Sequence, residues 1–225
     1  MINSDYALRG RNLSFSFAEV PVLHGVDIEL PWGSLTAIAG PNGAGKSTLL
    51  EILAGVRQSL TGSVERADEV ALVVQRVSAP DTLPLTVREV VAMGTWGVAR
   101  RGSARGSTEL SAKERKARVA GALERVQLAD LAAAPFNALS GGQRQRTLLA
   151  QGIARRARIF LLDEPAAGLD AESRNRTRAM LAEEARRGAA VACVSHDEDA
   201  IADADFVIRL ESGRRLSAQL SPHSR

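Results

Sequence analysis

Gly40 to Ser47 reads Gly-Pro-Asn-Gly-Ala-Gly-Lys-Ser. It stands between the apolar run Leu35 to Ala39 and a stretch, Thr48 to Leu53, whose apolar residues are spaced like a helix. Strand, glycine loop and helix in that order turn the pattern G-x-x-x-x-G-K-[ST] into a phosphate-binding expectation. Gly40, Gly43 and Gly45 let the backbone bend until successive N–H groups point inward at anionic oxygens, with Pro41, Asn42 and Ala44 completing the loop. A helix starting near Lys46 adds the positive end of its dipole, and Thr48 continues it. Lys46 is then placed to reach the β- and γ-phosphates. Ser47 is placed to give a hydroxyl oxygen to Mg²⁺, a hard cation that takes oxygen ligands. The chain has 29 Lys+Arg, yet only Lys46, Lys113 and Lys116 are lysine. A compact ammonium has been kept where this chemistry uses one.

At 225 residues, 45% hydrophobic and 24% charged, the composition is that of an ordinary soluble α/β protein with one globular catalytic unit. The net charge of +3 is scattered and not gathered into a basic run, so no nucleic-acid partner is expected. Cys193 is the single cysteine and lies in the apolar run Ala189 to Val194, which excludes a disulfide framework and a thiolate metal site. Met1 to Asp5 has no basic or apolar leader character, and no segment approaches the roughly 20 apolar residues of a membrane span. Any work at a membrane would require a partner chain to hold this one there.

Leu13 to Phe17 and Val26 to Leu30 predict a small antiparallel β segment ahead of the phosphate loop. Phe17 suits either core packing or stacking on an adenine ring. Val70 to Val74 reads as a buried strand ending at Gln75, and a helix is expected to begin at Thr86 with Glu89 in its first turn. Gly97 to Ser107 is rich in Gly, Ser and Arg and reads as a solvated surface loop. From Ser111 the apolar residues Val119, Ala122, Leu123 and Val126 recur at helical spacing, giving an amphipathic helix. Residues 79–155 thus read as mostly helical, between α/β flanks at 1–78 and 156–225.

Two further places carry chemistry. Ile159 to Leu162 is a buried, parallel-type strand that delivers Asp163 and Glu164 to its carboxyl end, the edge where α/β sheets bind ligands. An Asp there can hold Mg²⁺, and an adjacent Glu on the other side of the strand line can polarise an attacking water. Ala190 to Val194 delivers Ser195 and His196 to the same edge, whereas His24 and His223 have no such setting. Leu139, Ser140, Gly141, Gly142 and Gln143 precede a helix expected from about Arg144 to Ala154. Paired glycines at a helix start are costly unless the backbone must approach something closely, and a second anion site is the inference.

This set, in this order and spacing, resembles the ATP-binding-cassette (ABC) ATPases over about Leu13 to Arg214, and Leu-Ser-Gly-Gly-Gln is specific to that family. The resemblance implies a RecA-like P-loop NTPase core of α/β class with a small antiparallel β subdomain and an inserted helical subdomain. It implies ATP and Mg²⁺ as cofactors, with Lys46, Ser47 and Asp163 on phosphate and metal and Gln75 sensing both. It further implies Glu164 as general base and His196 as switch histidine. Phe17 would stand at the adenine-stacking position, where the family usually has tyrosine. The family works as a head-to-tail homodimer, so Leu139 to Gln143 would meet the partner's ATP and Asp170, in Ala167-Gly168-Leu169-Asp170, would communicate across the dimer.

A lone cassette of this length resembles the ATPase subunit of a multi-chain importer. It would be peripheral on the cytoplasmic face of the membrane, bound to integral permease subunits and served indirectly by an extracytoplasmic substrate-binding protein. Val73 to Arg76 followed by Leu83 to Gly94 is similar to the zinc and manganese importers, a pattern shared in large part by siderophore and haem importers. The alternative class is a soluble, non-transport cassette, for example one acting in iron–sulfur assembly.

Overall fold

The computed structural model describes residues 5–74, 85–96 and 110–220. Gln75 and Arg76, the segment Leu83–Pro84, the Gly97 to Ser107 loop and His223 lie outside the described residues, and with them the expectations placed there. In chain order the elements are β1 (Tyr6–Phe17), β2 (Val20–Pro31), β3 (Leu35–Ala39), α1 (Lys46–Ala54), β4 (Thr61–Arg66), β5 (Val70–Val73), α2 (Val87–Met93) and α3 (Ala112–Arg125). They continue with α4 (Gly141–Arg155), β6 (Ile159–Asp163), α5 (Ala171–Arg186), β7 (Ala190–Val194), α6 (Glu198–Ala202), β8 (Phe206–Glu211) and β9 (Arg214–Leu220). Two compact units result. One comprises Met1–Arg76, Arg158–Ala167 and Arg178–Arg225; the other comprises Val77–Ala157 and Gly168–Thr177.

The first unit holds a six-stranded sheet of order β5-β6-β7-β3-β8-β9 and a three-stranded antiparallel sheet of order β2-β1-β4. The strands from β5 to β8 run parallel, and β9 turns back antiparallel on β8. β7 is buried throughout and β6 is buried up to Asp163, which is why both read as unbroken apolar runs: parallel strands covered on both faces have no solvent side. Between the sheets lies the core, where Leu49, Leu50, Ile52 and Leu53 of α1 meet Leu8, Leu23, Ile28, Ile38, Leu161 and Val194. Fully burying four such side chains is worth on the order of 6–12 kcal/mol. That burial holds in place a nine-residue helix too short to persist alone. Its carboxyl end is closed twice: Gly55 turns left-handed, and the Arg66 guanidinium donates to the Leu53 and Ile52 carbonyls at 2.7 and 2.9 Å. A cation there also opposes the negative end of the helix dipole.

In the second unit three helices begin alike. Thr86 with Glu89, Ser111 with Glu114 and Ser140 with Gln143 each form a capping box, in which the hydroxyl accepts from the N3 amide and the N3 side chain accepts from the N-cap amide. α2 and α4 pack backbone to backbone, since a Cβ on Gly94 would stand 2.0 Å from the Gln151 carbonyl oxygen. The buried Arg146 of α4 donates to the Val126 carbonyl just past α3, and burial together with nearby Arg176 holds its pKa below the ordinary arginine value. α4 starts at Gly141, not near Arg144, because the Ser140 box lets the helix propagate from the first glycine. The glycine pair is therefore the helix's first two residues and not a loop ahead of it.

Candidate functional site

β6, β7 and β3 are parallel neighbours, so their carboxyl ends open on one edge. That edge receives the glycine loop after β3, Asp163 and Glu164 from β6, and Ser195 and His196 after β7. Chain order alone scatters these residues from 40 to 196.

Two loop glycines are there for space as well as for backbone freedom. Gly40 has φ +148° and a Cβ there would lie 2.1 Å from the Leu210 carbonyl oxygen; Gly45 has φ +93° and a Cβ would meet Leu23 at 2.7 Å. Ala44 and Thr48 are buried, while Pro41 and Asn42 are exposed. Lys46 is buried, and its ammonium donates to the Gly40 and Pro41 carbonyls, each at 2.9 Å. The lysine closes the loop on itself and so helps set the curvature that phosphate would meet.

Asp163 is half-buried, and burial pushes its carboxyl above the ordinary value. A hydrogen bond from the Ser47 hydroxyl opposes that shift; Glu164 and Glu51 add to it and Lys46 works against it. Glu164 does not continue the alternation of the strand, as the sequence reading expected. β6 ends at Asp163, and Glu164 turns into the left-handed region at φ +48°. Its amide donates to the Val194 carbonyl at 3.2 Å, and its own carbonyl accepts from the Ala167 amide at 3.1 Å. That turn carries its carboxylate to 3.3 Å from His196 Nδ1, where Glu164 is largely covered and His196 is exposed. The Ser195 hydroxyl oxygen accepts from the amide of Asp197, the N-cap of α6, at 3.1 Å.

Phe17 is 47% exposed at the end of β1 and is not a core residue; it packs edge-on against the buried Phe15, the ring centres 5.0 Å apart. Cys193 is buried, and burial pushes its thiol up to about 12, so it offers no thiolate.

In the second unit, Leu139 is buried and Ser140 caps α4. The glycine pair has a reason inside the chain. A Cβ on Gly142 would stand 2.8 Å from the Ser173 side chain, and one on Gly141 would stand 3.2 Å from Leu169. The close approach that the sequence demanded at this helix start is thus made at least in part by the chain's own segment Leu169 to Ser173. Asp170, in that segment, accepts from the Ser173 amide at 2.8 Å; this bond and a second from the Ser173 side chain hold its carboxyl below the ordinary range. Asp170 therefore caps α5.

The family model for ABC transporters matches residues 23–167. This chain is an ABC transporter ATPase. The hemin import ATP-binding protein HmuV of Streptomyces coelicolor is 44% identical to it over 208 residues, covering 86% of this chain and 71% of that protein. The aliphatic sulfonates import ATP-binding protein SsuB 2 of Streptomyces avermitilis is 39% identical over 92% of this chain and 78% of its own length. The zinc transport system ATP-binding protein TroB of Treponema pallidum is 34% identical over 88% and 75%. Among solved structures, the cassette superposes on a transporter described as being of the metal-chelate type, in an inward-facing conformation, with TM-score 0.83, 27% identity and coverage of 96% and 84%. It also superposes on the dimeric cassette MJ0796 bound to ADP and Pi, with TM-score 0.77, 25% identity and coverage of 95% and 98%.

The sequence reading of this cassette missed Glu51 and Arg57, which form an ion pair at 2.6 Å beside Phe17. Their spacing carries no motif. The one available signal was a cation six residues after an acid, across the end of a helix.

Proposed function

We propose that this cassette binds Mg·ATP, hydrolyses it, and powers import of a metal-bearing cargo through separate permease subunits. The observation that carries the reading is one sheet edge where the phosphate loop, the Ser47–Asp163 pair and the Glu164–His196 pair converge. Ser47 and Asp163 form an all-oxygen pair, which fits Mg²⁺, an ion held by one or two carboxylates together with substrate phosphates and water. When bound, Mg²⁺ would neutralise charge on the transferring phosphate. Lys46 adds a fixed positive charge beside it. Glu164 takes the proton of the attacking water, and His196 holds the Glu164 carboxylate in place. Gln75 joins the metal and the γ-phosphate through the resemblance alone. The dimer reading rests on the same resemblance and on the likeness to a dimeric cassette: Ser140 to Gln143 of one subunit meet the partner's ATP, and Asp170 stands next to that junction. The second compact unit is read as the inserted helical subdomain.

Among the described residues no helix is long and apolar enough to cross a membrane, and no group of three or more His, Cys, Asp and Glu is placed to hold a metal ion. We read the chain as peripheral at the cytoplasmic face, with the permease and its binding protein handling the cargo. A metal chelate of the haem type is favoured by 44% identity to the hemin import protein, against 34% for the zinc relative. Zinc or manganese, expected from the sequence, is the second reading, supported by that 34% relative and by the segment Thr86 to Gly94.

Uptake of haem, Zn²⁺, Mn²⁺ and an aliphatic sulfonate is measured in cells lacking this chain and restored with wild type or Lys46→Ala. Loss of haem uptake rescued only by wild type supports the first reading, loss of zinc or manganese uptake the second, and loss of sulfonate uptake alone rejects both. In purified protein Glu164→Gln accumulates an ATP-bound dimer; hydrolysis at the wild-type rate would remove Glu164 as the base.

A further inference from the structure

Phe17 is an awkward platform for a base. It lacks a hydroxyl, so only its faces and edge can be held, and it is 47% exposed at the tip of the β1–β2 hairpin. A ring that must be ordered by its ligand weakens the binding it serves.

The structure holds it in another way. Phe15 and Phe17 stand almost perpendicular, at 82°, and the Arg57 guanidinium sits in the corner between them, 5.0 Å from the Phe15 centroid and 4.7 Å from the Phe17 centroid. Both distances are within cation–π range. Arg57 is itself fixed from α1: its Nε donates to the Glu51 carboxylate at 2.6 Å and its amide to the Glu51 carbonyl at 3.2 Å. Glu51 lies on the same helix that begins at Lys46. One face of Phe17 is thus covered by a guanidinium tied to the phosphate-loop helix, and the ring's remaining exposure is available to a purine.

We propose that Arg57 is a positioning residue for the base of the nucleotide. Pinned to α1 through Glu51, it backs the inner face of Phe17 and fixes that ring relative to the phosphate loop. A cation behind the ring also draws electron density from it, which favours stacking of an electron-rich purine on the opposite face. This inference rests on the reading of Phe17 as the base platform.

The test is calorimetric titration of the full chain with ADP and, separately, with inorganic pyrophosphate, which reaches the phosphate loop but has no base. Phe17→Ala weakens ADP by roughly 5- to 150-fold, the span of base–aromatic stacking, and leaves pyrophosphate unchanged. Arg57→Leu weakens ADP about 2- to 5-fold, as expected of a partly exposed cation–π contact, and also leaves pyrophosphate unchanged. If Phe17→Ala weakens ADP and Arg57→Leu does not, the positioning role is overturned while the platform stands. Equal weakening of ADP and pyrophosphate by Arg57→Leu overturns it too, since Arg57 then props up α1. If Phe17→Ala leaves ADP unchanged, the platform reading fails and the inference with it.

Discussion

Gly40 and Gly43 belong to the same loop and both have positive φ, yet alanine should affect them very differently. At Gly43 the backbone is at φ +79° and no atom lies within 4 Å of where a Cβ would stand. Alanine there incurs only the conformational cost of a region L-residues rarely occupy, about 1–3 kcal/mol. At Gly40, with φ +148°, the added Cβ would also lie 2.1 Å from the Leu210 carbonyl oxygen. That oxygen is main chain in β8, which is paired on both sides with β3 and β9, and no rotamer change moves it out of the way. Overpacking of this kind adds about 1–3 kcal/mol.

The quantity to measure is the difference between the two variants, since both carry a conformational cost and only Gly40→Ala adds the contact with the Leu210 carbonyl. For a chain of this size each kcal/mol moves the melting temperature by about 2–4 °C, so Gly40→Ala should melt roughly 2–12 °C below Gly43→Ala. Thermal denaturation of the nucleotide-free protein reads this directly, without interference from the loss of phosphate binding that both variants share. Equal melting temperatures would refute the argument that Leu210, and not backbone freedom alone, requires glycine at position 40.

Asp163 gives a pH-dependent expectation whose sign is the reverse of the usual carboxylate. Its folded-state pKa lies above the ordinary 3.8, so the folded protein holds the proton more tightly than the unfolded chain does. Stability from this group therefore falls as pH rises from 3.8 through the folded pKa, and the deficit is fully present above it. Asp163→Asn should melt higher than wild type at pH 7.5, with the gain shrinking as the pH is lowered toward 4; a lower melting temperature at pH 7.5 would contradict the burial argument. Ser140→Ala removes one half of the α4 capping box and should cost about 1 kcal/mol, read as a loss of helical signal at lower urea concentration, and Ser140→Thr should recover most of it.

The central sheet was legible because burial on both faces leaves no alternation to interpret: Ile159 to Leu162 and Ala190 to Val194 could only be inner strands. Helix starts were legible at Thr86 and from Ser111, but the helix expected from about Arg144 begins at Gly141, because Ser140 and Gln143 close a capping box ahead of it. α5 was not. Its buried residues are Thr177, Leu181, Glu184 and Ala185, at proper helical spacing, but two of the four are polar and the apolar stripe disappears. β4, Thr-Gly-Ser-Val-Glu-Arg, is mostly exposed and is held by backbone pairing to β1, which leaves no mark on side-chain pattern. At the site, Lys46 and Asp163 followed from motif and strand end. Arg57 did not, because its partner Phe17 lies on a strand far earlier in the chain, and a cation–π contact across that separation has no period.

The turn at Glu164 is the instructive case, because two neighbouring residues break rules that the strand before them obeys. Ile159 to Leu162 are apolar and almost wholly buried. The next residue is a half-buried carboxylate pushed toward its neutral form, and the one after is a glutamate at φ +48°, where a residue with a Cβ costs about 1–2 kcal/mol over glycine. Glycine would sit at 164 without that cost but has no carboxylate to offer. The surrounding structure imposes the conformation from both sides, through the Val194 carbonyl and the Ala167 amide. The result is a carboxylate beside His196 that strand alternation alone would not have placed there. Local strain that the fold could relieve by a single substitution, located next to the Ser47–Asp163 pair, is what a chemical requirement for an acid at that point would leave behind.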